Sequence, residues 1–315
     1  MGHYLIRRFF QSCILMFIVT VVTFAMILSA PGGPSILLDP NASAEDLARM
    51  RRLLGLDDPI HVQYFKWIRN VAQGNLGVSY NIGRPVLDLI RDGLPATLVL
   101  AGSALLFAIL FGISLGILSA VRRYSLLDHL ITVISFFGLS VPVFWYGLML
   151  IMFFAVRLRW LPAGGMFTIG SGFSLLDRLR HLLLPMLVLG TVNMAQIVRY
   201  TRSSMLTVLQ QDYIKTARSK GIHEARVLYK HALKNACIPV VTIIGLLLPR
   251  LVGGAAVTET VFSWPGMGRL AVSAAFERDY PTIMGITLAV SAMVILSNLL
   301  TDILYVYLNP RIRYE

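Results

Sequence analysis

The residues of this chain that could do chemistry are polar side chains placed inside long apolar runs. Asn193, Gln196 and Tyr200 follow one another at i, i+3 and i+7, so on a helix they lie within about 60° of one another. Arg250 lies near the middle of a second apolar run, and an arginine at bilayer depth costs about 2.5–3.5 kcal/mol on insertion scales. The polar face indicates either hydrogen bonds between helices or the wall of a hydrated path. Arg250 is expected to face the protein interior and to pair with a structural carboxylate or with an anionic part of a substrate.

Residue groups typical of enzymes are missing from the sequence. Nothing in it matches a GxxxxGK[ST] nucleotide loop, an HExxH zinc motif or a GxSxG nucleophile motif. Its histidines lack an HxxxH or HxxE spacing, and Cys13 and Cys237 are too few for a disulfide framework or a four-ligand zinc site. We therefore expect no catalytic residue, no metal site and no cofactor on this chain.

The composition is typical of a membrane protein. Of the 315 residues, 56% are hydrophobic and 14% are charged, compared with about 45–50% and about 25% in soluble domains. The mean hydropathy of +0.71 indicates that lipid is the main solvent, which excludes a soluble enzyme. The net charge of +12 is expected of a chain that keeps Lys and Arg in short cytoplasmic loops, so it does not predict nucleic-acid binding.

Six stretches are apolar enough to cross a bilayer, which needs about 20 helical residues for about 30 Å of hydrocarbon. They predict an all-α integral membrane protein with six transmembrane helices. The first stretch is longer than the apolar core of a signal peptide, so we interpret it as an uncleaved anchor. Gly112 and Gly116 form a GxxxG pattern in the second stretch, which indicates close helix packing. The six stretches are residues 9–29, 96–120, 130–156, 182–201, 238–257 and 283–307.

The distribution of basic residues predicts the orientation. Residues 199–234 include eight Lys or Arg and two acidic residues, so the positive-inside rule places this segment in the cytoplasm. Six spans then place both termini in the cytoplasm and residues 30–93 outside. Residues 157–180 carry four arginines on the predicted external side, which runs against the rule.

The external segment 30–93 is neutral, with seven basic and seven acidic residues. Ser43 and Asp46 form a capping box, and Pro59 opens a second stretch of helical apolar spacing. These patterns predict two short amphipathic helices, which either cover hydrophobic surface or dock an external partner. In the last external connection, three carboxylates are expected to be solvated: Glu259, Glu277 and Asp279.

The cytoplasmic segment contains the most informative pattern. Residues 212–221 read DYIKTARSKG, a helical run that ends at a glycine. Beyond Gly221, the spacing predicts a short amphipathic helix with Ile222, Ala225 and Tyr229 on one face and polar residues on the others. Such a helix can lie on lipid headgroups or dock on a protein, and spacing alone leaves both open.

At this segment the sequence resembles the permease subunits of bacterial ABC importers of the dipeptide/oligopeptide/nickel family. That superfamily carries an EAA-x3-G motif followed by a coupling helix, and residues 215–221 keep its alanine and glycine but depart at the first two positions. Residues 231–239, HALKNACIP, resemble the peptide-permease version of the next element. Further matches are APGGP at 30–34, with Gly33 in place of an acid, LGLDDP at 54–59, GNLGVS at 74–79, FSWPGMGR at 262–269, RDYP at 278–281 and NPRIR at 309–313.

The resemblance implies a type I ABC importer permease of MetI-like architecture with an external amphipathic insertion. Its segments would be an N-terminal helix at 1–29, the insertion at 30–93, a five-helix core at 94–308 that includes a coupling loop at 202–237, and a cytoplasmic tail at 309–315. The residues expected to couple to an ATPase are Ala217, Gly221, Ile222, His223, Glu224, Ala225 and Arg226. The candidate translocation path consists of Asn193, Gln196, Tyr200 and Arg250.

The implied function is half of the translocation path for a di- or oligopeptide in an ATP-driven importer of the bacterial inner membrane. The implied partners are a second homologous permease, two cytoplasmic ATPase subunits that bind ATP and Mg, and an external binding protein, so the chain is not expected to be an enzyme. Nickel or metallophore complexes, glutathione and oligosaccharide-like solutes are alternative cargoes. An ion-coupled secondary transporter is the alternative from another class, although Asp302 is the only carboxylate well inside a predicted span.

Overall fold

The computed structural model describes residues 2–29, 33–34, 37, 43–170 and 172–308. Within these residues the regular secondary structure is helical, and the only β pairing is an isolated bridge between Val78 and Pro85. The helices are α1 (Gly2–Ser29), α2 (Ala44–Leu53), α3 (Ile60–Ala72), α4 (Val86–Val121), α5 (Leu126–Ser140), α6 (Val143–Leu150), α7 (Leu175–Leu209), α8 (Asp212–Ser219), α9 (Glu224–Arg226), α10 (Leu233–Val261), α11 (Met267–Phe276) and α12 (Tyr280–Leu308). Two π-helical segments, Ile151–Arg157 and Val227–Ala232, follow α6 and α9.

Five helical segments of the described chain are long and apolar enough to cross a membrane, and a bent helix pair makes a sixth if it counts as one span. The five correspond to five of the predicted stretches. The third predicted stretch, 130–156, is instead two helical pieces that meet at 108°. The break falls at Val141, whose backbone is extended (φ −82°, ψ 130°), because the residue before a proline, here Pro142, is disfavoured in the helical region.

The described chain divides into two compact units. The first contains the residues up to Thr97 together with Pro265–Ile295, and the second contains Leu98–Trp264 together with the end of α12 from Leu296. In the second unit α7 packs against α5 and α10. Of the apolar 18-residue stretch of α7 that could lie in a membrane, 61% is buried inside the protein. A helix that is buried on most of its surface forms a core, so α7 is the central helix of this unit.

Two glycines of α4 allow α7 to approach closely. A Cβ on Gly112 would lie 2.7 Å from Cγ2 of Ile197, and a Cβ on Gly116 would lie 2.5 Å from Cβ of Thr201. Both distances are shorter than real Cβ contacts, so only glycine fits at these positions. The interpretation of the GxxxG pattern as a packing motif is confirmed.

We expect Gly116→Val to destabilise the second unit by about 1–3 kcal/mol, because the added atoms overpack the contact between α4 and α7. The backbone oxygen of Val198 lies 3.0 Å from the added Cβ, so a side-chain rotation alone does not relieve the clash. Thermal unfolding of the purified chain in detergent measures the effect. Gly102→Val is the matched control on α4, since no atom lies within 4 Å of its added Cβ; equal melting temperatures for the two variants would contradict the prediction.

In the first unit, the two predicted external helices are present as α2 and α3. Ser43 caps α2, because its Oγ accepts a hydrogen bond from the Asp46 N–H at 3.1 Å. On α3, Tyr64 is 9% exposed, and its hydroxyl lies 3.0 Å from the Thr20 hydroxyl on α1. The Tyr64 ring also packs edge-on against Phe24 at 5.4 Å. The insertion therefore covers apolar surface of α1, one of the two roles that the sequence left open.

Asp279, just before α12, joins two of the sequence motifs. Its carboxylate accepts hydrogen bonds from the Ser79 hydroxyl, from the Thr282 hydroxyl at 2.8 Å and from the Tyr80 N–H at 3.2 Å. GNLGVS and RDYP thus meet at one carboxylate, which also caps α12. Because its oxygens have these partners, Asp279 is only 1% exposed, and the expectation that it is solvated is wrong.

The expectation that Glu259 is solvated is wrong as well, whereas Glu277 is exposed as expected. Glu259 is fully buried. The reason is that α10 continues to Val261, beyond the predicted end of the fifth span at residue 257, so Glu259 lies in the helix and not in the connection.

Tyr80 should make the stability of the first unit depend on alkaline pH. Burial, followed by the nearby charges of Asp279 and Tyr280, raises its pKa from 10.0 to about 12. Because the folded pKa lies above the unfolded one, the stabilisation is complete below about pH 10 and is lost as the pH rises through about 12. We expect the melting temperature of the wild type to fall more steeply over this range than that of Tyr80→Phe. Parallel curves for the two proteins would disprove this assignment.

Candidate functional site

The candidate site is the loop that links α7 to α10. Its first arm is α8, which is anchored by two buried side chains, Ile214 (0% exposed) and Ala217 (7%). These pack in a cluster with Met205 of α7 and Ala236 of α10. The hydroxyl of Tyr213 also accepts a hydrogen bond from Nδ2 of Asn235, at 2.8 Å. The arm is therefore held against the ends of two predicted spans.

The first arm ends at Gly221. Its φ of +72° lies in the left-handed region, which glycine adopts without strain and other residues rarely do. The Gly221 N–H donates to the Arg218 carbonyl at 2.9 Å, and the Ile222 N–H donates to the Ala217 carbonyl at 3.3 Å. This is the helix-ending geometry that the DYIKTARSKG pattern predicts.

The second arm begins at His223, whose Nδ1 accepts a hydrogen bond from the Ala225 N–H at 3.3 Å. An ion pair joins the two arms, because Arg218 donates to the Glu224 carboxylate through Nη2 at 2.6 Å and through Nε at 3.2 Å. Glu224 raises the pKa of Arg218, so the guanidinium stays charged. The loop is thus closed on itself around Gly221.

The second arm differs from the separate short helix that the sequence predicts. Helix α9 runs without interruption through the π-helical segment Val227–Ala232 into α10. Of the expected apolar face of Ile222, Ala225 and Tyr229, only Ile222 packs against the buried cluster, since Ala225 is exposed and Tyr229 is 64% exposed. The buried contact is made by Val227 (0%). The chain therefore turns Ala225 and Tyr229 outward on a helix that continues into a candidate span.

The outward surface of the loop combines apolar and charged groups. We name this set of exposed residues the loop surface: His223, Glu224, Ala225, Arg226, Tyr229 and Lys230. Groups of three or more His, Cys, Asp or Glu that could hold a metal are not found among the described residues. An exposed aromatic with basic neighbours on a fixed helix is suited to docking.

An ion pair between Asp128 and Arg202 has no counterpart among the sequence-based predictions. Arg202 donates to both Asp128 oxygens, each at 2.8 Å. The carboxylate also accepts from the Ser119 hydroxyl and from the Tyr124 N–H at 3.0 Å. Asp128 has 3% of its side chain exposed and Arg202 has 30%. The network ties the turn between α4 and α5 to the last turns of α7, which lead into the loop.

Part of this network has a signal in the sequence. Ser125 and Asp128 have the spacing of a helix cap, and Ser125 Oγ does accept from the Asp128 N–H at 3.2 Å. That spacing locates the start of α5. Arg202 follows 74 residues later, and no local pattern connects residues so far apart.

Three of the four candidate path residues lie on α7, on a face that runs from the interior of the second unit to its surface. Asn193 is 7% exposed, and its Nδ2 donates to the Leu189 carbonyl at 2.7 Å. Gln196 is half-buried, and Tyr200 is 36% exposed. These three residues are not hydrogen-bonded to one another in the described structure. The backbone of Arg250 belongs to α10, but its side chain is outside the part of the chain that the structure describes.

The fold defines a class: a multi-pass membrane protein in which a folded loop with exposed apolar and basic residues joins two of the candidate spans. Residues 112–314 match the family model described as "Binding-protein-dependent transport system inner membrane component". Residues 1–101 match the model of the N-terminal part of such membrane components. The chain belongs to this family, and it is a permease subunit of an ABC importer.

Relatives support this assignment along the whole chain. The oligopeptide transport system permease protein AppB of Bacillus subtilis is 47% identical over 316 residues, which cover 100% of both chains. The di/tripeptide permease DppB of Pseudomonas aeruginosa is 44% identical and the dipeptide permease DppB of Escherichia coli K12 is 43% identical, each match covering 94% of both chains. The resemblance to peptide-family permeases is confirmed.

A solved structure of the MetNI methionine ABC transporter, in an inward-facing conformation, shares the fold. Its matching chain has a TM-score of 0.57 at 19% identity, over 71% of this chain and 97% of that one. The all-α, MetI-like architecture is therefore confirmed, as is the location in the inner membrane. The cytoplasmic placement of both termini stays a prediction.

Proposed function

We propose that this chain forms half of the translocation path of an importer for di- or oligopeptides. The observation that carries the proposal is the full-length match to a relative named as an oligopeptide permease, at 47% identity. Matches at 43–44% to permeases named for dipeptides and di/tripeptides support the same cargo class. The proposed assembly pairs this chain with a second, homologous permease and receives peptide from an external binding protein.

We further propose that ATP is hydrolysed on two partner subunits, which bind ATP and Mg and dock on the loop surface. The support is physical: the loop surface is outward, while Ile214, Ala217 and Val227 fix its back to the second unit. A force applied to Tyr229 or Arg226 reaches α10 through continuous helix and reaches α7 through α8. A lever of this kind is what coupling between a motor and a membrane path requires.

The proposed path residues remain Asn193, Gln196, Tyr200 and Arg250. The Asn193 Nδ2 donates one hydrogen bond to its own helix, but the amide oxygen can still accept a hydrogen bond. Tyr200 presents its ring near Arg199, whose guanidinium carbon lies 5.3 Å from the ring centroid. A peptide carries a carboxylate, an ammonium group and amides, and this face offers groups that can bind each of them weakly.

The test is to tag this chain, extract it from its native membrane and identify the co-purifying subunits by mass spectrometry. The complex is then reconstituted in liposomes with its binding protein, and uptake of labelled di- and oligopeptides is measured with and without ATP. We expect two ATPase subunits, one second permease and ATP-dependent peptide uptake. Uptake without ATP under an ion gradient, or ATP-dependent uptake of nickel complexes or glutathione without peptide uptake, would overturn the proposal.

A further inference from the structure

The first compact unit contains an open cavity of about 760 Å³. This volume lies in the range of about 300–1,000 Å³ that is typical of small-molecule sites. Its walls come from the ends of α1 and α2, from α3 and the turn before it, from the loop after α3, and from the start of α12. The proposed path residues and the loop surface belong to the other unit, so neither of them accounts for this cavity.

One wall of the cavity is apolar and belongs to the ends of two membrane spans. Phe24 and Leu28 lie at the end of α1, and Met284 lies one turn into α12. The ends of spans coincide with the boundary between hydrocarbon and headgroups. The apolar wall therefore lies at the depth where the first carbons of a lipid acyl chain lie.

The other wall is polar and carries a net positive charge. Among its described lining residues are two cations, Arg52 and Lys66, and a single carboxylate, Asp58. Lys66 Nζ lies 2.5 Å from Asp58 Oδ2, so this pair is internally neutral. Arg52 donates through Nε to the Ala48 carbonyl at 3.3 Å, and no described carboxylate is paired with it. Among the described residues, the wall thus presents one guanidinium without a paired carboxylate, a group that binds phosphate well.

Trp67 supplies an independent sign of an incomplete site. Its indole Nε1–H is shielded from solvent and has no hydrogen-bond partner among the described residues, although Trp67 lines the cavity. A buried donor without an acceptor is costly. Tryptophans at the membrane boundary commonly satisfy this donor with headgroup or ester oxygens. Because Nε1 is shielded, a ligand with such oxygens supplies the acceptor only when the indole rotates toward the cavity.

We propose that the cavity is a binding site for an anionic glycerophospholipid. Its phosphate binds Arg52 and Lys66, its glycerol ester oxygens face Trp67, and its acyl chain leaves along Phe24 and Met284. The amphipathic walls fit a lipid better than a free phosphate or a peptide, because only a lipid carries a phosphate and an apolar chain joined end to end. Bound there, the lipid packs against α1, α3 and α12 together.

The test measures lipid binding to the purified, delipidated full-length chain by native mass spectrometry during titration with phosphatidylglycerol. We expect Arg52→Gln/Lys66→Gln to weaken binding of the tightest phosphatidylglycerol by about tenfold or more, because two charge-assisted contacts are removed. The matched control is Arg49→Gln/Arg69→Gln, which removes two exposed cations from the same helices outside the cavity lining. This control should bind as the wild type does.

A second variant tests the same site in the opposite direction. Asp58→Asn removes the one described carboxylate of the lining, so it should tighten phosphatidylglycerol binding. A gain of affinity of this kind cannot result from a variant that merely fails to fold. Equal affinities for the cavity and control double variants would overturn the proposal, as would equal binding of phosphatidylcholine. Displacement of the lipid by excess inorganic phosphate would show a free-phosphate site instead and would also overturn it.

Discussion

An Arg202→Met chain is expected to lose about 3 kcal/mol of unfolding free energy, the lower end of the range for a broken buried ion pair. The lower end applies because Arg202 keeps 30% of its side chain exposed, while Asp128 keeps only 3%. Without Arg202, the Asp128 carboxylate stays buried with the Ser119 hydroxyl and the Tyr124 N–H as its remaining partners. Neither neutralises its charge. Thermal or denaturant unfolding of the purified chain in detergent measures the loss.

Two controls separate the buried charge from charge loss in general. Lys215→Met breaks an exposed ion pair with Asp212, at 2.9 Å with 67% and 95% of the side chains exposed, and should leave stability unchanged because such pairs contribute little. Asp128→Leu/Arg202→Met removes both charges and should recover much of the loss, since it is the unpaired buried charge that is costly. If the double variant is no more stable than the single one, the ion-pair explanation fails.

Much of this fold can be read from apolar runs and caps. Five predicted spans correspond to helices, because a run of about 20 apolar residues can satisfy its backbone hydrogen bonds in lipid only as a helix. Ser43 and Pro59 predict the starts of α2 and α3, because caps act over three or four residues. The bend at Val141 had a local signal as well, in the proline that follows it, but the apolar run around it is unbroken and hides the break.

Contacts between residues far apart in the sequence cannot be read in the same way. Ser79 meets Asp279 across 200 positions, and Asp128 meets Arg202 across 74, so neither pair has a local pattern. The loop between α7 and α10 could be predicted from the sequence only in part. Gly221 predicts where α8 ends, since the requirement for a positive φ is local. The outward turn of Tyr229 depends on the π-helical segment, which shifts the register of the following residues, and helical spacing alone gives the wrong buried face.

The glycine at position 221 should be the residue whose replacement most affects coupled transport. We expect Gly221→Val in the reconstituted complex to separate ATP hydrolysis from peptide uptake. No atom lies within 4 Å of an added Cβ, so the effect comes from backbone strain and not from a clash. A side chain in the left-handed region costs about 1–2 kcal/mol, which changes the population of a two-state element about 5–30-fold.

The strain acts at the one point where the two arms of the loop turn into each other. Relief of the strain requires φ to become negative, which moves Glu224 away from Arg218 and breaks the ion pair that closes the loop. α8 then stays fixed through Ile214 and Ala217, while the loop surface loses its register with α8. The measurement is the ratio of peptide taken up to ATP hydrolysed, together with the melting temperature of the permease.

Gly221→Asn is the control, because asparagine adopts the left-handed region more readily than other residues with a side chain. It should keep the wild-type ratio of uptake to hydrolysis, while Gly221→Val lowers the ratio with the permease still assembled. Arg218→Met and Glu224→Gln each break the ion pair without backbone strain. If both variants lower the ratio of uptake to hydrolysis only slightly and equally, the larger loss in Gly221→Val comes from the backbone strain at residue 221. Normal uptake per ATP in Gly221→Val would show that the two arms do not move as one body, and the lever assignment would then be wrong.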